Sequence, residues 1–224
     1  MNIGRTLVSI VLASALLMLF SCESDSYDTG TGTYSLMTAE FGEAYTDEEG
    51  VLQFFTTDDG SVLTLSPELS YSSAKPDTLY RSLLYYDVAD GNIVEPRAIT
   101  ALPVAYPHPA LAFDSVYTDP VTFESLWVSG SGKYINMGLY FLTGEADGSD
   151  DLRHTVGIAV DSIVTDDNLF STYHMRLYHD QGGIPEYYST KYFISIPTSS
   201  IPAADSVVMR INTYDGTVTK GVGL

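Results

Sequence analysis

Between Tyr134 and Thr143 apolar side chains fall on every second position, with Ile135, Met137, Leu139 and Phe141 on one side and Tyr134, Asn136, Gly138 and Tyr140 on the other. This is the period of a half-buried antiparallel strand, whose successive side chains point to opposite faces. The same alternation recurs along the chain from Tyr34, and the 3.6-residue period of an amphipathic helix does not replace it. A chain patterned this way buries its apolar faces by stacking sheets or by closing one, so the fold class is all-β.

In the first half, Ser35, Met37, Ala39 and Phe41 alternate with Tyr34, Leu36, Thr38 and Glu40, and a turn at Asp47-Glu48-Glu49-Gly50 leads to a strand over 51–55. Asp58-Asp59-Gly60-Ser61 reads as a hairpin turn into 62–65. A polar break over 70–77 precedes strands at 79–88 and 93–101, joined by Ala89-Asp90-Gly91-Asn92. About five strands in roughly 70 residues predict a small closed barrel over 34–102, which leaves no edge to protect. Pro103, Pro107 and Pro109 remove backbone donors and hold the chain extended, so 103–112 is expected to be a Pro-rich linker between two domains that make few contacts. Over 113–224 strands are expected at 123–128, 134–143, 154–163, 172–179, 188–196 and 206–214. Their spacing, broken by Gly, Asp and Pro turns, predicts an antiparallel β-sandwich with Trp127 anchoring its core.

Ahead of the barrel, Arg5 is followed by an apolar run over 7–20 that ends at Leu19-Phe20-Ser21-Cys22. About 14 residues at roughly 1.5 Å each fall short of the ~20 that span a bilayer, so 1–21 reads as a cleavable signal peptide. Its end resembles a bacterial lipobox, from which Phe20 departs. Cys22 is the only cysteine, which excludes an internal disulfide in an exported chain. Acylation, with palmitate for example, uses that thiol and supplies a membrane anchor. Residues 22–33 are acidic and small, a flexible tether. A serine-containing acidic stretch just after the cysteine resembles the signal that carries Bacteroidota lipoproteins to the outer leaflet. The expected location is therefore the outer membrane, exposed at the cell surface, with a periplasm-facing protein as the alternative. Loss of Arg5 leaves 9 of the 10 basic residues against all 29 acidic ones, a balance that excludes nucleic acid and anionic lipid surfaces as partners.

Catalytic and metal chemistry find no pattern to use. His174 and His179 lie five apart on an expected strand and so face opposite ways, and His108 and His154 sit in turn-like contexts, which argues against zinc. The acidic run 145–151 lacks the ligand order of an EF-hand and reads as a solvated turn. Ser129-Gly130-Ser131-Gly132-Lys133 lacks phosphate-loop spacing and reads as a hairpin turn. Ser72-Ser73-Ala74-Lys75 matches S-x-x-K, but Pro76 opposes the helix that chemistry needs. No catalytic residue, metal or cofactor is assigned. Tyr134, Tyr140 and Tyr178 occupy faces opposite the aliphatic ones and form the candidate contact surface for a sugar or peptide. Asp77-Thr78-Leu79, Asp114-Ser115-Val116, Asp161-Ser162-Ile163 and Asp205-Ser206-Val207 resemble the Asp-(Ser/Thr)-aliphatic O-glycosylation motif of exported Bacteroidota proteins. Thr78 and Ser115, near loops, are the favoured acceptors.

The layout as a whole, with Glu124-Ser125-Leu126-Trp127-Val128, Lys133-Tyr134-Ile135-Asn136-Met137-Gly138-Leu139-Tyr140-Phe141, Tyr173-His174-Met175-Arg176-Leu177-Tyr178-His179 and Asp205-Ser206-Val207-Val208-Met209-Arg210-Ile211, resembles the NigD-like lipoproteins of Bacteroidota. The resemblance implies an N-terminal OB-type barrel and a C-terminal β-sandwich. It also implies a bacteriocin-immunity type of role, from the locus that gives the family its name, and brings no catalytic residues. The expected function is a non-enzymatic cell-envelope lipoprotein, surface-exposed, that binds a protein, peptide or glycan ligand. The alternatives are a structural subunit of an outer-membrane surface assembly and a hydrolase with an unrecognised site.

Overall fold

The computed structural model describes residues 37–70, 74–145 and 152–224. The signal, Cys22, the tether, Ser72, Ser73 and positions 146–151 of the acidic run lie outside the described residues.

Strands β1 (Thr38–Thr46), β2 (Val51–Thr57), β3 (Val62–Ser70), β4 (Leu79–Asp90) and β5 (Ile93–Ala101) form a closed barrel in the order β1-β2-β3-β5-β4. β4 pairs antiparallel with both β1 and β5, and a short parallel contact of β3 with β5 at Thr64 and Leu65 completes the ring. The interior holds Ala44, Leu52, Phe55, Leu63, Leu65, Leu84 and Val94.

The phase of β1 is set by a glycine. In β1 the buried positions are Gly42, Ala44 and Thr46, while Phe41 and Glu43 turn outward. A Cβ at Gly42 would stand 2.3 Å from the Thr56 carbonyl oxygen and 2.5 Å from the Phe55 ring, so the absent side chain is what admits Phe55 to the barrel. A strand has period two, and seating Gly42 inward therefore sends Phe41 out.

The remaining strands build two stacked sheets. β6 (Pro107–Pro109), β9 (Thr155–Thr165), β10 (Ser171–Asp180), β12 (Ser206–Thr213) and β13 (Gly216–Gly223) form one, in the order β13-β12-β10-β9-β6. β7 (Thr122–Val128), β8 (Tyr134–Thr143) and β11 (Tyr188–Pro197) form the other, in the order β11-β8-β7. Ile135, Met137, Leu139 and Phe141 of β8 meet Met175, Leu177, Met209 and Ile211 across the core. The β10–β12 and β6–β9 pairs are parallel, a direction that alternation of side chains does not encode. β13 escaped the sequence pattern because it is a largely exposed edge strand with few apolar side chains.

The proline segment is stitched down. The Ser195 amide donates to the Pro103 carbonyl at 3.0 Å and the Ala105 amide donates to the Ser195 carbonyl at 2.9 Å, so the segment runs along the edge of β11 before becoming edge strand β6. Proline is tolerated at such an edge because its missing N–H can face away from the ladder. The segment therefore belongs to the sandwich instead of acting as a free spacer.

Candidate functional site

Three regions gather polar or aromatic groups, and the first lies where the barrel meets the outer face of β8. Arg81 of β4, its side chain only 1% exposed, donates to Asp58 through Nη1 at 2.5 Å and Nη2 at 2.7 Å. From the same guanidinium Nε reaches the Ser195 hydroxyl and Nη2 reaches the Asn136 carbonyl oxygen, each at 3.0 Å. Asn136 and Ser195 are fully buried, and the Ser195 hydroxyl donates to Asn136 at 2.7 Å. The guanidinium also lies 4.3 Å from the Tyr134 ring centroid, a cation–π contact. Around it Phe41 meets Trp127 and Phe193 edge to face at 5.4 and 4.9 Å. The expectation of few contacts between the two parts is thus corrected. A buried charge needs partners on every side, and here barrel and sandwich each supply some of them. Trp127 is likewise relocated, because it joins this contact and not the sandwich core.

The three tyrosines do not form one surface. Tyr134 is held at the junction, its hydroxyl donating to Glu43 at 2.9 Å. Burial first, then the Glu43 carboxylate, pushes its pKa up to about 12. Burial also works to raise the Glu43 carboxyl, but hydrogen bonds from Lys133 and Tyr134 with the charges of Lys133 and Arg81 outweigh it and hold it below its ordinary value. Tyr140 lies further along the same face, where its hydroxyl donates to Glu124 at 3.3 Å. Tyr178 belongs to the other sheet, stacked on Phe113 at 5.0 Å. Of the favoured acceptor sites, Ser115 is exposed in a bend, whereas Thr78 is half-buried with its hydroxyl donating to the Pro76 carbonyl.

The second region is an aromatic stack inside the sandwich that sequence spacing did not reveal. Phe141 stacks on His179 at 4.6 Å and on Tyr192 at 4.8 Å, and His154 Nδ1 lies 3.0 Å from His179 Nε2. His179 Nδ1 is 3.0 Å from the Asp119 carbonyl oxygen. A carbonyl can only accept, so Nδ1 of His179 carries the proton and its Nε2, in the neutral ring, accepts from His154 Nδ1–H. That leaves the His154 Nε2 lone pair, which is sealed from solvent without a partner. Burial and then the neighbouring His179 lower the His154 pKa. The two rings are 25 residues apart in sequence. Only the pairing of β9 with β10 brings them together.

Beside His154 a cavity of about 520 Å³ opens at the edge of the sandwich, between β11 and the start of β9. Val104 and Ala105 of the stitched segment, Phe141, Val156, Tyr192 and Ile194 line it. The volume and the largely apolar lining with a few polar groups are those of a small-ligand pocket. The third region, a polar hollow beside Arg176 and Arg210 on the outer face of the five-stranded sheet, holds about 180 Å³.

No protein-family model matches the chain, and no curated protein does. Solved structures do match along its length. One is a NigD-like immunity protein from Bacteroides caccae, at a TM-score of 0.63 and 23% identity, covering 82% of this chain and 91% of that one. Another is a toxin-related candidate from Parabacteroides distasonis, at a TM-score of 0.63 and 18% identity over 84% of this chain and 93% of that one. A candidate lipoprotein from Bacteroides fragilis follows at a TM-score of 0.56 and 15% identity, over 83% and 96%. At these identities the likeness is one of fold. The barrel followed by two stacked sheets is therefore the fold of a NigD-like immunity protein, matched over most of both chains.

Proposed function

We propose that the protein is a non-enzymatic lipoprotein of the cell envelope, held in the outer membrane by acyl chains on Cys22 and exposed at the cell surface, and that its folded part is a binding module of the immunity type. The observation that carries this reading is the cavity of about 520 Å³ at the sandwich edge, whose walls come from paired strands and a hydrogen-bonded segment. A site on such a rigid frame binds without first having to order itself. Both nitrogens of His179 are engaged, and the remaining lone pair of His154 is sealed from solvent with no hydroxyl bonded to it, so neither ring is paired with a hydroxyl nucleophile. The likeness to an immunity protein and to a candidate lipoprotein supports the same reading.

Two measurements test it. N-phenyl-1-naphthylamine, an uncharged apolar fluorophore, should bind saturably, and Val104→Trp, which fills the cavity, should abolish the signal while the circular dichroism spectrum is kept. Unsaturable or unchanged binding in the variant would remove the cavity from the account. Cys22→Ser should yield a soluble product or an uncleaved precursor in the native host, and detergent-dependent membrane attachment unchanged in that variant would refute the anchor. A structural role in a surface assembly is favoured by one observation, the β9–β10 hairpin, where Ile163, Val164, Leu169 and Phe170 are all exposed and Leu169 stands at φ 65°. Ser115, exposed in its bend, is the proposed glycan acceptor, and an intact mass of host-purified protein equal to the acylated polypeptide would reject it.

A further inference from the structure

Arg176 of β10 and Arg210 of β12 are direct partners in the parallel ladder. Their neighbours Met175, Leu177, Met209 and Ile211 fill the core, so both arginines stand on the outer face of the sheet, one strand spacing apart. Two guanidiniums at that spacing repel. A single carboxylate, Asp161, lies between them, accepting from Arg176 through one oxygen and from Arg210 through the other, at 3.2 Å for the latter. One negative charge against two positive ones leaves the cluster with a residual positive charge, in a chain whose formal net charge is −19.

The rest of the hollow is also rich in donors. Its walls are Thr118, Asn212 and Thr217, and Asn212 Nδ2 is fixed by donating to the Thr118 carbonyl at 2.7 Å. Each guanidinium carries five N–H donors and gives one to Asp161, and Arg176 Nε is buried with no partner among the described residues. A concave site in which donors outnumber acceptors is complementary to an oxyanion, above all where two planar forks converge. The protein's overall field repels anions, so affinity there must come from the local donors.

We propose that this hollow binds a small oxyanion, or the sulfate, phosphate or carboxylate group of a larger molecule, between the guanidiniums of Arg176 and Arg210. The site is on the opposite sheet from the β11 wall of the edge cavity and stands independently of it. Thr118 and Thr217 would supply hydroxyls to oxygens that the arginines do not reach, and the guanidinium N–H groups not used on Asp161 would face the anion.

The test is calorimetric titration of the full acylated protein in a neutral detergent, at ionic strength held constant with sodium chloride. The probes are sodium sulfate, sodium phosphate, N-acetylglucosamine 6-sulfate and unsulfated N-acetylglucosamine. Sulfate and the sulfated sugar should bind saturably at one site, and the unsulfated sugar should not. Arg176→Gln and Arg210→Gln should each weaken binding by at least about tenfold, whereas Arg97→Gln, a surface cation on the barrel, should leave it unchanged. Arg210 is 51% exposed in its side chain, so its variant keeps the fold even if that of Arg176 does not. A sulfated sugar that binds more tightly than the free ion identifies a glycan group as the natural source, and the reverse identifies the free ion; either supports the site. Absence of saturable sulfate and phosphate binding overturns it, as does equal affinity in Arg210→Gln.

Discussion

Replacing Arg81 with methionine removes the buried cation that ties the barrel to the sandwich, leaving the exposed Lys133–Glu43 pair, while keeping an unbranched apolar stem in its place. The guanidinium makes four hydrogen bonds, two to Asp58, one to Ser195 and one to Asn136. Breaking one partner out of a buried ion pair costs about 3–5 kcal/mol, because the other charge is left without compensation. Asp58 is 18% exposed and keeps the Asn136 amide at 3.2 Å, so the lower end, about 3 kcal/mol, applies. For a domain of this size that corresponds to a fall in Tm of about 6–12 °C. Trp127 is the only tryptophan and packs at the junction against Phe41, so its fluorescence reports the contact while far-ultraviolet circular dichroism reports both β parts. In urea the parent protein should lose both signals together, and Arg81→Met should lose the tryptophan signal first. Adding Asp58→Asn to Arg81→Met should recover part of the loss, since the orphaned charge is gone. A midpoint shift worth less than about 1 kcal/mol, or coincident transitions in the variant, would refute the claim that this network couples the two parts.

Gly42→Val should cost about 3 kcal/mol or more in thermal unfolding, because the new side chain meets the Thr56 carbonyl and the Phe55 ring; a loss under about 1 kcal/mol would mean the barrel wall gives way easily. Tyr134→Phe should cost about 1–2 kcal/mol through the lost bond to Glu43, and its ultraviolet titration should lack the tyrosine that ionises at about 12. His154 has a folded pKa below its ordinary value of about 6.5, so the unfolded chain takes up a proton first as pH falls and the stabilisation from the neutral ring, full above about 6.5, declines from there down to the folded value. Denaturation midpoints between pH 7.5 and 5 should therefore fall less in His154→Phe than in the parent, and parallel profiles would exclude this histidine as the cause.

Much of the architecture was legible because strands announce themselves by period. The spans of β5 and β8 coincide with the alternating runs, since both begin and end at turn residues that break the pattern. Direction and phase were less accessible. The parallel pairing of β10 with β12 leaves no mark on either sequence, and the inward phase of β1 depends on Gly42 meeting Phe55, a contact across strands. For the same reason the burial of Asn136, on the face of β8 opposite its apolar side chains, and of Ser195 is not visible in their own strands. Their burial comes from Arg81, distant from them by 55 and 114 residues. The pairing of His154 with His179 was hidden because the two lie 25 residues apart and meet only through the register that sets the residue before β9 opposite the end of β10. A signal was available in the two arginines: Arg176 and Arg210 each follow a methionine in strands of the same pattern, which places both on an outer face.

β8 is used on both of its faces. Its inner face, Ile135 to Phe141, is committed to the sandwich core, and on its outer face Tyr134 and Asn136 are committed to the barrel. At Gly138 even a Cβ would meet the Glu124 and Ser125 side chains within 3 Å, so the side chains of β7 close over the strand there. A central strand used on both sides is rigid, and it fixes β11 on one flank and β7 on the other. Two surfaces suited to recognition lie where sheet meets loop: the cavity bounded by β11 and the segment from Pro103, and the hollow bounded by β10, β12 and Thr118. Both are framed by strands that cannot shift without disturbing the core, and a ligand at either would meet side chains already held in place.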